Sequence, residues 1–459
     1  MIGRLALRSL TAHPVRSAVL AAGFGVGVSV MAILLGVAHV VLEQAQSPAL
    51  VGGGDVNIRL SLSVPARVVL SGTLQSDALR SRVRAAAASH TTDLFLLRNG
   101  KATRVAARGG IPSVEHELGD PEVADMAAWR DTAADAAWTR QSPEAVLRQI
   151  DRFHGVPDLP EWSDSWAEWL YFNGRSKDAR FYLAFIVGPR TKSGNRSSSV
   201  SLQIERNGEM QLYSTTVEST DAELTHAPDL TIGANSVRLD GLVYRIHVDV
   251  ADDAGRRAIG DLTVQASAGR LVPPAEITGA RGWRTGYVVP VMSGPLDGAL
   301  TVAGEPVSLA GGTGYHDHNW GFWKGVTWQW GQAYHEDVSL IYGRIFPPPE
   351  AADPERLPGF VGVLGPDGPL GYATDVRITE TNDETGQPRS IAIRARGTSL
   401  TLDLRFDVAS TTRTRKTEGP LFNGVNFLQM RGQYTVSGMA GNRAIEFTAP
   451  GSAETFRGQ

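Results

Sequence analysis

The sequence predicts a mostly β protein in which two antiparallel β-barrels in tandem follow one transmembrane helix and a small α/β region. Three observations predict this fold class. An apolar segment near the N-terminus carries no ionisable residue, and many short runs after Pro160 alternate between apolar and polar side chains, which is the period of β-strands. The chain of 459 residues is also too long for one core, since single cores stop growing at about 250 to 300 residues.

Composition excludes several classes of function. Cysteine is absent, which excludes disulfides, thiolate nucleophiles and thiolate metal sites. The net charge of -4 provides no basic field to attract phosphate, so nucleic acid is not expected as a partner.

The first predicted region, residues 1–43, contains the membrane anchor. Ser17 to Ala38 is free of ionisable residues, and a helix rising about 1.5 Å per residue crosses a hydrocarbon core of about 30 Å over such a length. Arg4, Arg8 and Arg16 precede the segment, which places the N-terminus in the cytoplasm by the positive-inside rule. We therefore expect a single-pass inner (cytoplasmic) membrane protein with its bulk extracytoplasmic, or periplasmic. A cleaved signal peptide and a buried soluble helix remain the alternatives.

The same N-terminal stretch, GRLALRSLTAHPVRSAVLAAGFGVGVSVMAILLGVA, resembles the start of FtsX/MacB-type ABC-transporter permeases. That resemblance implies permease and ATPase subunits as partners. No later segment approaches about 18 uninterrupted apolar residues, so the chain alone is not a transporter. A non-catalytic, lipid-binding accessory subunit of an ABC exporter is accordingly one of two functions that the sequence leaves open.

Residues 44–160 form the predicted α/β juxtamembrane region. Strand-like runs such as VNIRL and LFLLRNG flank a helical stretch from Leu79 to Ala88. Further on, SPEAVLRQI begins with Ser142 as an N-cap and Pro143 in the first helical turn. We expect this region to act as a spacer between the membrane and the barrels.

The two barrels are predicted over residues 161–310 and 311–459. In LVYRIHVDV, apolar residues from Leu242 to Val250 share one face, and SLTLDLRFDV alternates in the same way. Gly, Asn, Asp and Pro turns separate such runs at spacings typical of antiparallel meanders that close into barrels.

Two aromatic clusters stand out from the strands. They are AEWLYFNGR, residues 167–175, and GGTGYHDHNWGFWKGVTWQWGQAYHED, residues 311–337. The pattern resembles the carotenoid 1,2-hydratase (hydroxyneurosporene synthase) family and its AttH-like relatives, which carry an E-W-W-Y-x-x-G-like and a G-x-x-Y-x-D-H-N-W-G-like segment. The resemblance spans roughly residues 162–459 and implies tandem lipocalin-like barrels around an apolar ligand. One departure is Arg344, which follows Tyr342 where the family carries an acid after Tyr-x.

The residues themselves support similar chemistry. In an extended strand His316, His318 and Trp320 lie on one face, whereas Asp317 and Asn319 lie on the other. Hydration of an isoprenoid alkene needs a proton donor, a placed water and aromatic faces that stabilise a carbocation. The protein is thus a candidate hydro-lyase, with His318 expected to donate the proton from the Trp320 side and Asp317 to orient the segment from behind.

The predicted catalytic residues are His318, Asp317 and Tyr342. The residues predicted to contact a hydrophobic isoprenoid or lipid ligand are Glu168, Trp169, Tyr171, Tyr315, Trp320, Trp323, Trp328, Trp330 and Tyr334. We expect neither a metal nor a cofactor.

Other interpretations stay open at this stage. The tryptophans are equally typical of barrel cores, and Asp317 with Asn319 could only stabilise a turn. A zinc site is a further alternative, with ligands from His316, His318, Asp317, His335 and Glu336.

Overall fold

The computed structural model describes residues 82–98, 101–123, 130–135, 142–162, 164–415 and 426–457, with a few short pieces before residue 71. The predicted anchor, residues 17–38, and the permease-like stretch around it lie outside the described residues. Within the described part of the chain, no helix is long and apolar enough to cross a membrane.

The chain divides into two compact units. The described part of the first unit, which comprises residues 1–59 and 85–137, contains a β-hairpin, β1 (His90–Arg98) and β2 (Lys101–Gly109), and helix α1 (Pro112–Glu117). A short 3-10 turn follows at Pro121–Val123. Inside this unit the guanidinium of Arg108 forms buried ion pairs with Glu115 and Asp120.

The second unit, which comprises residues 60–84 and 138–459, contains helix α2 (Pro143–Ile150) and both barrels. The side chain of Ser142 accepts a hydrogen bond from the backbone N–H of Ala145 at 3.2 Å, and Pro143 occupies the first turn, as the sequence predicts. Val146, Leu147 and Ile150 pack into the core of the first barrel. The helix therefore belongs to the barrel unit and not to a separate spacer.

The first barrel is a closed ring of eight antiparallel strands in the order β3-β4-β5-β6-β9-β10-β12-β14, with β14 returning to β3. Strands β7 and β8 extend beside β9, and β11 and β13 pair with β12. A short helix, α3 (Asp221–Leu224), follows β6. The strands are β3 (Trp166–Arg175), β4 (Arg180–Arg190), β5 (Arg196–Arg206), β6 (Glu209–Ser219), β7 (Leu230–Ile232), β8 (Asn235–Asp240), β9 (Val243–Ala251), β10 (Arg257–Gln265), β11 (Val272–Thr278), β12 (Arg284–Val302), β13 (Glu305–Ser308) and β14 (Gly312–Phe322).

The second barrel is a nine-stranded antiparallel sheet in the order β18-β17-β16-β15-β23-β22-β21-β20-β19, nearly closed between β18 and β19. Its strands are β15 (Thr327–His335), β16 (Val338–Phe346), β17 (Phe360–Gly365), β18 (Gly368–Ala373), β19 (Asp375–Asn382), β20 (Pro388–Arg396), β21 (Leu400–Arg415), β22 (Asn426–Ala440) and β23 (Arg443–Arg457). The predicted mostly β fold with two barrels is confirmed.

The alternation in the sequence sets which side chains fill each barrel. Tyr244, Ile246 and Val248 of β9 are buried in the first core, and Leu402 with Phe406 of β21 are buried in the second. Burying each such aliphatic or aromatic side chain contributes about 1.5 to 3 kcal/mol. A cavity lined by residues of both barrels lies between them.

Candidate functional site

Strand β14 forms one wall of the site and is hydrogen-bonded to a neighbouring strand on each edge. It pairs with β3, where Asp317 lies opposite Tyr171 and His318 opposite Leu170, and with β12. Paired on both sides, the strand cannot rotate, so consecutive side chains point to opposite faces. His316 and His318 therefore point away from Asp317.

A buried polar network occupies the face that carries the two histidines. Asp151, the residue after helix α2, lies between them: its Oδ2 is 2.9 Å from His316 Nε2 and its Oδ1 is 3.1 Å from His318 Nδ1. The other ring nitrogen of His316 donates to the carbonyl oxygen of Tyr171 at 3.0 Å. Asp151, His316 and His318 are all buried, so the network is shielded from water.

Glu168 of β3 extends this network toward the surface. Its Oε1 lies 2.9 Å from His318 Nε2 and 2.7 Å from His154 Nδ1. The backbone N–H of His154 also donates to Glu168, and the side chain of His154 is 31% exposed. His318 is thus held between two carboxylates, and only His154 reaches solvent.

The electrostatics of the network follow from this arrangement. Burial alone lowers the pKa of His318, but its hydrogen bonds to Asp151 and Glu168 outweigh burial and raise the pKa to about 9. Burial opposes ionisation of Asp151, yet the two histidines lower the pKa of its carboxyl to about 2. The pKa of Glu168 is lowered as well. Burial raises it, but the hydrogen bonds from His154 and His318 lower it by more. At neutral pH His318 is an imidazolium between two carboxylates.

Trp320 belongs to this face as well. Its ring stacks on His154 with 4.1 Å between ring centroids, and it makes an edge contact with His318 at 5.5 Å. From the sequence, His318 and Trp320 are predicted to share the apolar ligand cavity. The structure places both on the opposite side of β14 from that cavity, because the alternation of the strand puts Asp317 there instead.

The cavity between the barrels has a volume of about 840 Å³. Both barrels contribute to its walls, and its lining is mainly apolar. The aromatic residues in the lining are Trp169, Tyr171, Tyr182, Tyr287, Trp323, Trp328, Trp330, Phe360, Tyr372, Phe427 and Phe456. A cavity of this size and character suits a chain-like apolar ligand.

Asp317 is the acidic residue that the first barrel presents to this cavity. Tyr315 donates to its Oδ2 at 2.8 Å and Asn319 donates to its Oδ1 at 2.8 Å. The hydroxyl of Tyr287 lies 2.6 Å from that of Tyr315 and accepts a hydrogen bond from the indole of Trp330 at 3.0 Å. Burial raises the pKa of Asp317 well above its usual range, more than these donors lower it. Burial therefore shifts Asp317 toward its neutral, protonated form.

Glu454 of β23 is the acid on the wall of the second barrel. It accepts hydrogen bonds from Tyr171 at 2.8 Å and from Gln429 at 3.3 Å. Burial raises its pKa to about 7, although these donors and Trp328 act in the opposite direction. Two carboxyls whose pKa values are both raised by burial thus face one apolar cavity, an arrangement that suits acid–base catalysis near neutral pH.

The predicted site residues fall into three places. Those that line the cavity are Trp169, Tyr171, Asp317, Trp323, Trp328 and Trp330, and Tyr315 reaches it through its contact with Asp317. Those on the opposite face of the wall are Glu168, His318 and Trp320.

Two predicted residues lie elsewhere. Tyr334 borders a separate small pocket beside Arg175 and Arg180. Tyr342 is buried in the core of the second barrel, with its hydroxyl 3.5 Å from that of Tyr434. Neither side chain lines the cavity between the barrels: Tyr334 lies further along β15 on the same face as Trp330, and Tyr342 packs in the core of the second barrel.

Sequence reasoning did not single out Asp151, Glu454, Tyr287 or His154. Asp151 follows a capped helix and Glu454 lies in AETF, a stretch with few other polar groups. An acid on the outward face of the last strand, next to a core residue such as Ala453, is the signal that could have identified Glu454. Nothing local marks Tyr287, because its partners come from other strands.

Among the described residues, this network is also the place where a metal ion could bind. One donor atom each from His154, Glu168 and His318 lie within 4.8 Å of one another. The direct contacts of 2.7 and 2.9 Å are hydrogen-bond distances, whereas tetrahedral zinc with bonds of about 2.0 to 2.1 Å separates its ligands by about 3.3 Å. The zinc set considered from sequence is not brought together, since Asp317 faces away from His316 and His318.

Comparisons with known proteins give a likeness to solved structures. No protein-family model matches the chain, and no curated protein matches it. The chain is similar to a Nitrosomonas europaea protein provisionally assigned as AttH, with 14% identity, a TM-score of 0.44, and coverage of 67% of this chain and 98% of that one. It is also similar to kievitone hydratase from Nectria haematococca, with 16% identity, a TM-score of 0.42, and coverage of 67% and 93%. At these values the likeness supports no argument about chemistry. Any conclusion about chemistry depends on the residues of this chain.

Proposed function

We propose that this protein is a hydro-lyase that adds water to a carbon–carbon double bond of an apolar chain, isoprenoid or acyl, held between the two barrels. The observation that carries the proposal is Asp317, a buried carboxyl that faces an aromatic cavity and whose pKa is raised well above its usual range. A neutral carboxylic acid in an apolar site is a proton donor at neutral pH.

The first step is proton transfer to the alkene. The O–H bond of Asp317 breaks as a C–H bond forms at the less substituted carbon, which leaves a carbocation on the other carbon. The indole and phenol rings of the lining stabilise that cation by about 1 to 2 kcal/mol for each well-placed ring. Among the tryptophans of the cavity wall, Trp330 packs edge-on against Tyr171 and donates to the hydroxyl of Tyr287, and Trp169 stacks with Trp328.

The second step needs a base for water. The pKa of Glu454 is raised by burial to about 7, so near neutral pH this carboxylate can take the proton from water as the C–O bond forms. Tyr171, which donates to Glu454, packs edge-on against Tyr315, which donates to Asp317. Water adds across the double bond overall, and one proton returns from Glu454 to Asp317 through solvent to complete the cycle.

In this proposal His318 is a positioning residue. It does not line the cavity, and both of its ring nitrogens bond carboxylates. By holding β14 against Asp151 and Glu168 it directs Asp317 into the cavity. This reverses the two roles expected from sequence, where His318 was the donor.

The test is turnover of acyclic isoprenoids and unsaturated fatty acids in isotopically labelled water. Incorporation of one labelled oxygen by the wild type, and its loss in Asp317→Asn, supports the hydratase. A wild type that binds these ligands and never incorporates oxygen leaves a lipid-binding protein, the role of an exporter accessory subunit, in its place.

A further inference from the structure

The cavity between the barrels carries an unusual charge for an apolar site. Four residues of its lining have acidic or basic side chains: Arg190, Asp317, Arg344 and Glu454. Burial raises the pKa of both acids, that of Glu454 to about 7. A guanidinium group keeps its charge at physiological pH, whereas burial works against the negative charge of both acids. The balance of charge in the cavity is therefore shifted toward positive.

The two arginines differ in how far their charge is already compensated. Arg190 lies at the edge of the cavity, is 53% exposed, and pairs with Asp221. Its other contact is to the carbonyl oxygen of Gly194 at 2.6 Å. Solvent and Asp221 therefore neutralise its field, and we expect little attraction for a ligand there.

Arg344 is the less compensated of the two. Its side chain is 18% exposed, and its Nη2 donates to the carbonyl oxygen of Pro354 at 3.2 Å and to Glu355 at 3.4 Å. Glu355 is 82% exposed, so the pair is weak. The Nε of Arg344 is buried and has no hydrogen-bond partner among the described residues. The Nη1 also makes no hydrogen bond to the described residues and is not buried, so it is the donor that a ligand in the cavity can reach.

The surroundings of Arg344 fix where the guanidinium lies. Arg344 pairs with Gln329 of β15, which also lines the cavity, and its guanidinium lies 4.8 Å from the centre of the Phe346 ring. Gln329 is held by Glu380 at 2.7 Å, so its amide does not occupy the free donor of Arg344. The guanidinium is thus an anchored cation on the wall of the second barrel.

We infer that the ligand is an amphiphile with an anionic head group, carboxylate or phosphate, which Arg344 binds while the apolar chain lies along the aromatic cavity toward Asp317. The inference rests on the proposed function for the fate of the chain. A guanidinium suits both head groups because its planar donors match their paired oxygens.

The experiment compares three probes with one chain and three heads: geranylgeranoic acid, geranylgeranyl phosphate and geranylgeraniol. Binding to the full-length protein in detergent is followed by calorimetry and by tryptophan fluorescence. We expect the carboxylate, the phosphate or both to bind about tenfold or more tightly than the alcohol. Whichever of the two binds more tightly identifies the head group.

Variants of Arg344 test whether this residue causes the preference for an anionic head group. Arg344→Gln should remove the preference for the anion and leave the affinity for the alcohol unchanged, which also shows that the variant is folded. Arg344→Lys should retain part of the preference, and Arg394→Gln, at a side chain 74% exposed on β20, should retain all of it. Equal affinity of the wild type for the three probes, or a preference that survives Arg344→Gln, overturns the inference.

Turnover is measured on the same samples so that the two proposals are separated. An anion preference without incorporation of labelled oxygen contradicts the hydratase and leaves the head-group site standing. Equal turnover and binding of acid and alcohol contradicts the head-group site alone.

Discussion

Asp317 and His318 are adjacent in sequence, yet they face opposite sides of strand β14. The carboxyl of Asp317 bonds Tyr315 at 2.8 Å on the cavity side. The imidazole of His318 lies between Asp151 and Glu168, at 3.1 and 2.9 Å, on the enclosed side. The two residues therefore have separable roles, and each can be tested without the other.

Asp317→Asn should lower turnover by about 10² to 10⁴, the range for loss of a positioned acid. The melting temperature should change little, because the amide keeps the shape of the carboxyl. Steady-state rates and thermal unfolding check this, with Asp403→Asn on the exposed face of β21 as the matched control. Unchanged turnover in Asp317→Asn would remove Asp317 from the chemistry.

His318→Ala should destabilise the protein by about 3 to 5 kcal/mol, since it leaves two buried carboxylates without their shared cation. Urea unfolding measures the loss. The double variant His318→Ala with Asp151→Ala should recover part of it, because one unpaired charge is removed. If His318→Ala keeps full stability, the buried network does not hold β14 in place.

The free energy of unfolding should fall as the pH rises above neutral. The folded pKa of His318, about 9, lies above its usual 6.5, so its stabilisation is complete below about pH 6.5 and is lost as pH rises through about 9. Asp151, with its pKa lowered from 3.8 to about 2, stabilises the fold above its unfolded pKa and loses that contribution as pH falls through about 2. Denaturant midpoints across pH 6 to 10 in wild type and His318→Gln test the alkaline limb. A wild-type slope as shallow as that of the variant would contradict it.

Turnover should rise with pH through about 7 as Glu454 ionises, because the proposed base must be deprotonated to accept a proton from water. Glu454→Gln should lower the rate by about 10² and remove this rising limb. Rate profiles for kcat/KM across pH 5 to 9 provide the measurement. A profile of the same shape in wild type and Glu454→Gln would assign the base to another group.

The predicted anchor can be tested independently of the site. Because Arg4, Arg8 and Arg16 precede the apolar segment, a C-terminal alkaline phosphatase fusion should be active and a β-galactosidase fusion inactive. The opposite pair of results would place the barrels in the cytoplasm.

The strands and the residues of the site wall can be predicted from the sequence. The alternation in LVYRIHVDV and SLTLDLRFDV predicted which side chains enter each core, because the period of a strand is a local property of the backbone. The opposite orientation of Asp317 and His318 followed from the same rule. The aromatic cluster likewise predicted Trp169, Trp328 and Trp330 as cavity residues.

Which face of β14 is the ligand side depends on the packing of the whole fold. Strand alternation separates two faces but does not say what covers each of them. Helix α2 brings Asp151 against the histidines, and β23 brings Glu454 to the cavity from more than a hundred residues further along the chain. The roles of His318 and Asp317 are therefore set by neighbours distant in sequence, because the pKa of a buried group depends on the charges and donors that the fold places around it.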